Sequence, residues 1–117
     1  MEWKIKYHPL AEKELSELDG SVRKIVLKGI IKVASNPKPQ NEGGYGKPLG
    51  NKNSNNLTGL LKIKFRDIGI RVVYKLMEDE KTHEMYILVI AARTDNEVYN
   101  LAGIRTTQYV ESRHANA

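Results

Sequence analysis

The sequence contains no cysteine. That excludes a disulfide framework, a thiolate nucleophile and every cysteine-ligated zinc site. No apolar run approaches the ~20 residues that a membrane span needs. The opening residues, MEWKIKYHP, carry charge but no apolar h-region, so no signal peptide is read there and the cytoplasm is the expected location. No glycine-rich phosphate loop precedes a helix, because Gly43, Gly44 and Gly46 lead into Lys47-Pro48. A nucleophile elbow is also missing. The histidines His8, His83 and His114 lack the i, i+3 or i, i+4 spacing of a helical metal pair. Neither a metal nor a cofactor is expected.

What is present has the composition of one globular domain, spanning 1–117. The chain has 117 residues, 40% hydrophobic and 28% charged, enough to bury a core without staples. Its net charge of +5 is unevenly spread. Residues 60–76 hold Lys62, Lys64, Arg66, Arg71 and Lys75 against the single acid Asp67, so most of the excess lies in one short segment. A localised basic stripe is the electrostatic footprint of a polyanion, most often nucleic acid.

Hydrophobic periodicity orders the chain. Trp3, Ile5 and Tyr7 alternate with Glu2, Lys4 and Lys6, which predicts a half-buried strand. Pro9 suits the first turn of a following helix, in which Ala11, Leu15 and Leu18 share a face. Asp19-Gly20 interrupts it. A second helix carries Val22, Ile25, Val26, Gly29, Ile30 and Val33 in one stripe, with Ser21 as its cap and Asn36-Pro37 as its stop. The short link makes the two helices an antiparallel hairpin. Residues 36–59, rich in glycine, proline and asparagine, read as a long loop in which Lys47 and Lys52 either follow a nucleic-acid backbone or only solvate the chain.

From Leu60 the period returns to two. Leu61, Ile63 and Phe65 oppose Lys62, Lys64 and Arg66; Asp67-Ile68-Gly69 turns the chain; Ile70, Val72, Tyr74 and Leu76 then oppose Arg71, Val73 and Lys75. An acidic turn at 78–82 leads into the apolar run 86–92, a central strand covered on both faces. Residues 96–102 start a short helix, and 105–117 read as a polar tail with a tendency to fray. The fold class is α+β: β-α-α-β-β-β plus a short C-terminal helix. The helical hairpin covers one face of a small, mostly antiparallel sheet, and Lys62, Lys64 and Arg71 lie on the open face. Like charges opposed across strands repel, so such clustering carries a cost that solubility alone does not explain.

The stretch from Gly59 to Tyr74, GLLKIKFRDIGIRVVY, resembles the core signature of the RelE/ParE superfamily of type II toxins. HPLAEKEL after the first strand, Asn36-Pro37, and RTDNEVY at 93–99 are also similar to that family. The resemblance spans about residues 3–102 and implies a RelE-like fold. It further implies the toxin half of a toxin–antitoxin pair, with a cognate antitoxin as partner. RelE-like members cleave mRNA in the ribosomal A site, whereas ParE-like members inhibit DNA gyrase. The residue types of the RelE cleavage pattern stand at Lys62, Lys64, Arg71, Arg93 and Tyr99, which favours a metal-independent endoribonuclease acting with the ribosome. The alternatives are a ParE-like gyrase inhibitor and a degenerate, non-toxic antitoxin-binding domain. Ala91-Ala92 departs from the pattern, where glycine and a further cation are common.

Within that implied site, Arg71 and Arg93 suit the phosphate, since a guanidinium fork matches its geometry. Lys62 and Lys64 hold the backbone. Tyr99 serves proton transfer or base stacking, or else packs the short helix as a core tyrosine. Arg66 and Lys75 are assigned to general RNA binding, with Lys47 and Lys52.

Overall fold

Alternation of Trp3, Ile5 and Tyr7 with exposed lysines places β1 (Lys4–Tyr7) at one edge of a sheet, where it pairs in parallel with β5 (His83–Ala91). The computed structural model describes residues 3–52 and 55–115, with side chains described outside 50–58 and 109–117. His8 leaves the strand in an extended conformation, and its Nδ1 accepts a hydrogen bond from the Leu10 amide at 3.1 Å. His8 therefore caps α1 (Pro9–Ser16), with Pro9 at the first turn as expected.

The next helix, α2 (Gly20–Ala34), is capped by Asp19 rather than by the expected Ser21. The Asp19 carboxylate accepts from both the amide and the hydroxyl of Ser21, so the serine lies inside the first turn as a donor. Val26, Ile30 and Val33 are buried as the period predicts, but Ile25 is 47% exposed. It sits at the margin of the stripe, turned past the sheet. Gly29 is needed for space: a Cβ there would overlap the Phe65 ring.

The expected long loop at 36–59 is largely structured. Tyr45 donates to the Asn36 carbonyl and Gly46 to that of Lys38, closing the segment around a single turn of 3-10 helix (Gln40–Glu42). A further strand, β2 (Lys47–Lys52), follows and pairs antiparallel with β3 (Asn55–Phe65), with a register shift between Pro48 and Gly50. Its glycine, proline and asparagine hide it from a search for apolar alternation. Pro48 is tolerated because β2 lies at the sheet edge.

The hairpin of β3 with β4 (Ile70–Glu78) turns at Gly69, whose φ of +66° is the left-handed conformation that favours glycine. At the acidic turn, the Asp79 carboxylate accepts from the amides of Lys81 and Thr82. The strand order is β1-β5-β4-β3-β2. On β5, every residue from Met85 to Ala91 is buried, so the strand is covered on both faces as predicted.

The second face is not open. The short helix expected at 96–102 and the tail expected at 105–117 are joined, as far as residue 115, in one helix, α3 (Asp95–Ala115); 116–117 lie outside the described residues. Val98, Tyr99 and Ala102 pack against Leu60, Val73, Tyr86 and Leu88 in a second core. The same inward stripe continues through Arg105 and Thr106, and these polar residues conceal the helix from a reading of apolar period. Helices α1 and α2 supply the first core, with Ile70, Val72 and Tyr74. The result is three layers, helix–sheet–helix, rather than two.

Candidate nucleic-acid interface

The register of β3 on β4 sets Lys64 directly opposite Arg71, two cations on neighbouring strands. Their repulsion is relieved from outside the sheet. Asp95, at the start of α3, accepts from the Lys64 ammonium at 3.4 Å and from Arg71 Nε through its other carboxylate oxygen. Burial pushes the Asp95 carboxyl up, but the hydrogen bonds and charges of Arg71 and Lys64 outweigh that and hold it below the ordinary value. Arg71 Nη1 also donates to the Arg93 carbonyl at 2.6 Å.

Deeper on the same face, Lys62 is buried, with its ammonium 2.7 Å from the Tyr99 hydroxyl and 5.3 Å from the ring centroid. Tyr99 itself is buried in the second core. Lys62, Lys64, Arg71 and Tyr99 are therefore brought together where α3 meets β3 and β4, and the Arg93 backbone joins them. The Arg93 side chain is exposed at the rim.

The other basic residues are dispersed. Arg66 is exposed in the hairpin turn and, with Lys64, Phe65, Gly69, Ile70 and Arg71, lines a concavity of about 220 Å³. Lys75 lies farther along β4 and donates to the Thr106 hydroxyl at 2.9 Å. Lys47 is exposed on β2 opposite Lys62, and the Lys52 side chain falls outside the described residues. A larger cavity, about 440 Å³, opens at the other end of the β3–β4 hairpin. Its charged walls, Lys38, Glu42 and Glu78, are of mixed sign and include none of the clustered cations. Among the described residues, no group of three His, Asp or Glu side chains is placed to hold a metal, and no helix is long and apolar enough to cross a membrane.

No protein-family model matches the chain, and no curated protein does. Solved structures match closely in shape. A mutant of the E. coli toxin RelE in its free state superposes with a TM-score of 0.63 at 22% identity, over 87% of this chain and 95% of that one. The isolated E. coli RelE toxin gives 0.61 at 23%, over 89% and 98%. The toxin–antitoxin complex RelBE2 from Mycobacterium tuberculosis gives 0.60 at 19%, over 81% and 95%. The fold is that of RelE.

In this chain the fold brings the basic hairpin and the start of α3 together. Sequence reasoning missed Asp95, which ties Lys64 to Arg71. Its signal was an acid two residues after Arg93, beside the one strongly basic face. Glu14 and Arg105 were missed as well. Arg105 donates to both Glu14 carboxylate oxygens, at 2.7 and 3.1 Å, and to the Leu88 carbonyl, while Glu14 accepts from the Ile90 amide. These two side chains take up the strand polar groups left over where β1 ends beside Ile87.

Proposed function

We propose that this chain is the toxin of a type II toxin–antitoxin pair and cleaves mRNA on the ribosome. The observation that carries the reading is the convergence of Lys62, Lys64, Arg71 and Tyr99 at one end of α3, beside exposed Arg93. The RelE-like architecture supports it, since solved neighbours include free RelE toxin and toxin–antitoxin complexes.

The chemistry follows from the residue types. The ribose 2′-oxygen attacks the adjacent phosphorus, a 2′,3′-cyclic phosphate forms, and the bond to the 5′-oxygen breaks. The 2′-hydroxyl gives up its proton and the departing 5′-oxygen gains one. Charge builds on the non-bridging oxygens, where fixed guanidinium groups are worth several kcal/mol. Arg71 and Arg93 take that role, with Lys64 holding the backbone and buried Lys62 raising the local positive potential from beneath. The Tyr99 hydroxyl, which accepts from Lys62, assists proton transfer; burial of the Tyr99 ring rules out stacking on a base. The ribosome supplies the orientation that a site without histidine or a free carboxylate base needs. A cognate antitoxin protein is the second partner, and the cytoplasm is the compartment in which both are met.

The pairing of Lys64 and Arg71 with Asp95 favours one other reading, an antitoxin-binding domain without nuclease activity. Primer extension on a translated reporter mRNA after brief induction separates them. Codon-spaced cuts that vanish when translation is blocked, and that are lost in the Arg71→Ala/Arg93→Ala double variant, support the nuclease. Cuts unchanged in that variant overturn the assigned site, and expression with neither cuts nor growth defect supports the binding domain.

A further inference from the structure

We infer that Lys64 and Arg71 form a seat for an RNA phosphate that Asp95 occupies as an internal competitor. This rests on the proposed reading of the face as an RNA site. Three observations converge on it. The two cations oppose each other across β3 and β4, a juxtaposition that repels unless an anion lies between them. The anion present is a carboxylate from a separate element, distant by 31 residues from Lys64 and 24 from Arg71. Arg71 meets it through Nε, while Nη1 is drawn to the Arg93 carbonyl, so the guanidinium is already oriented around a single oxyanion.

The surroundings fit a displaceable occupant. Lys64, Arg66 and Arg71 also line the concavity of about 220 Å³, so a phosphate has room beside them. The Asp95 side chain is 41% exposed, against 28% for Lys64 and 29% for Arg71. The carboxylate is thus the most accessible member of the group. A phosphodiester offers two non-bridging oxygens in the place of the two carboxylate oxygens, and rotation of the Asp95 side chain toward water vacates the seat. The surface that carries most of the chain's excess positive charge is in this way partly neutralised until a polyanion arrives.

The consequence is opposite in sign to that of a structural salt bridge. Removing the competitor should strengthen anion binding. The probes are inorganic tripolyphosphate and a short single-stranded RNA with 2′-O-methyl riboses, which resists cleavage. Asp95→Asn is expected to bind both about tenfold more tightly than the unaltered protein, the scale of one charge-assisted hydrogen bond. Its salt dependence for RNA should steepen by about 1.4 in the log–log slope, two freed cations at ~0.7 each. Asp95→Glu, which keeps the charge, should stay near the unaltered affinity, and Arg71→Ala added to Asp95→Asn should abolish the gain.

Tripolyphosphate binding by Asp95→Asn that is equal or weaker overturns the inference. Tighter tripolyphosphate binding with no RNA binding by any variant leaves the seat standing and overturns the RNA reading instead. Should the substitution unfold the protein, the carboxyl carbon resonance of Asp95 is followed by NMR in the unaltered chain. It should move toward that of a solvated carboxylate as tripolyphosphate saturates, and an unmoved resonance at saturation overturns the proposal.

Discussion

The guanidinium of Arg105 on α3 grips the carboxylate of Glu14 on α1 through two hydrogen bonds, joining the helices of opposite layers around the end of β5. The Arg105 side chain is 7% exposed and that of Glu14 21%. Within the same cluster, Leu88 and Ile90 find partners for a carbonyl and an amide that β1 does not reach. Removing one partner strands the other in a dry site. Glu14→Ala should cost about 3 kcal/mol, read as a lowered urea midpoint with unchanged slope. A loss below about 1 kcal/mol would place the pair among surface salt bridges.

His8 stands beside this pair, and it makes stability depend on pH. Burial lowers its pKa from the ordinary value, the nearby Arg105 charge lowers it further, and Gln108 and Glu14 only partly oppose them. The folded state thus favours the neutral ring, and the unfolded chain binds more protons once pH falls below the unfolded value of 6.5. Stability should be constant above that point and decline as pH drops from it toward the lowered folded pKa. Protonation on Nδ1 would also remove the acceptor that caps α1. His8→Asn retains a capping oxygen without the titration, so its melting temperature should vary less between pH 7 and pH 5 (roughly the window about the ordinary histidine pKa).

The segment before β2 is held to the sheet by Tyr74, whose buried hydroxyl donates to the Pro37 carbonyl at 2.8 Å. Burial also pushes this phenol far above its ordinary pKa. Tyr74→Phe leaves the carbonyl without that donor and should cost about 1.5 kcal/mol in chemical denaturation. Gly46 lies against the same hydroxyl, so Gly46→Ala should cost about 2 kcal/mol by overpacking. In the Tyr74→Phe background the alanine has more room, and the two costs should sum to less than their separate values.

Tyr99 separates chemistry from packing. Tyr99→Phe keeps the ring in the second core but removes the oxygen that accepts from Lys62. If the hydroxyl takes part in proton transfer, ribosome-dependent cleavage should fall about 100-fold in a protein that still folds, while the loss of an acceptor for buried Lys62 lowers stability by about 1.5 kcal/mol. Unchanged cleavage would leave Tyr99 as a core residue.

Much of this architecture was legible in local pattern. The alternation at 3–7, the stripe of α2 and the two-residue period of β3 and β4 are properties of neighbouring residues, and each survives in the folded chain. The basic segment between Leu60 and Leu76 was legible for the same reason. Local pattern failed where an element buries polar residues or none that alternate: β2 with its glycine and asparagine, and α3 with Arg105 and Thr106 on its inner side.

The sequence by itself determined the helix and strand periods, the hairpin turn at Gly69 and the concentration of positive charge. Only the tertiary structure decided that the charged face is partly covered by a helix rather than fully open to solvent. It also decided that Asp95 lies between Lys64 and Arg71, and that Glu14 meets Arg105. Charge count and period are set by residues a few positions apart. A pairing across 24 to 91 residues depends on strand register and on where the last helix docks, and neither is written in any one stretch of the chain.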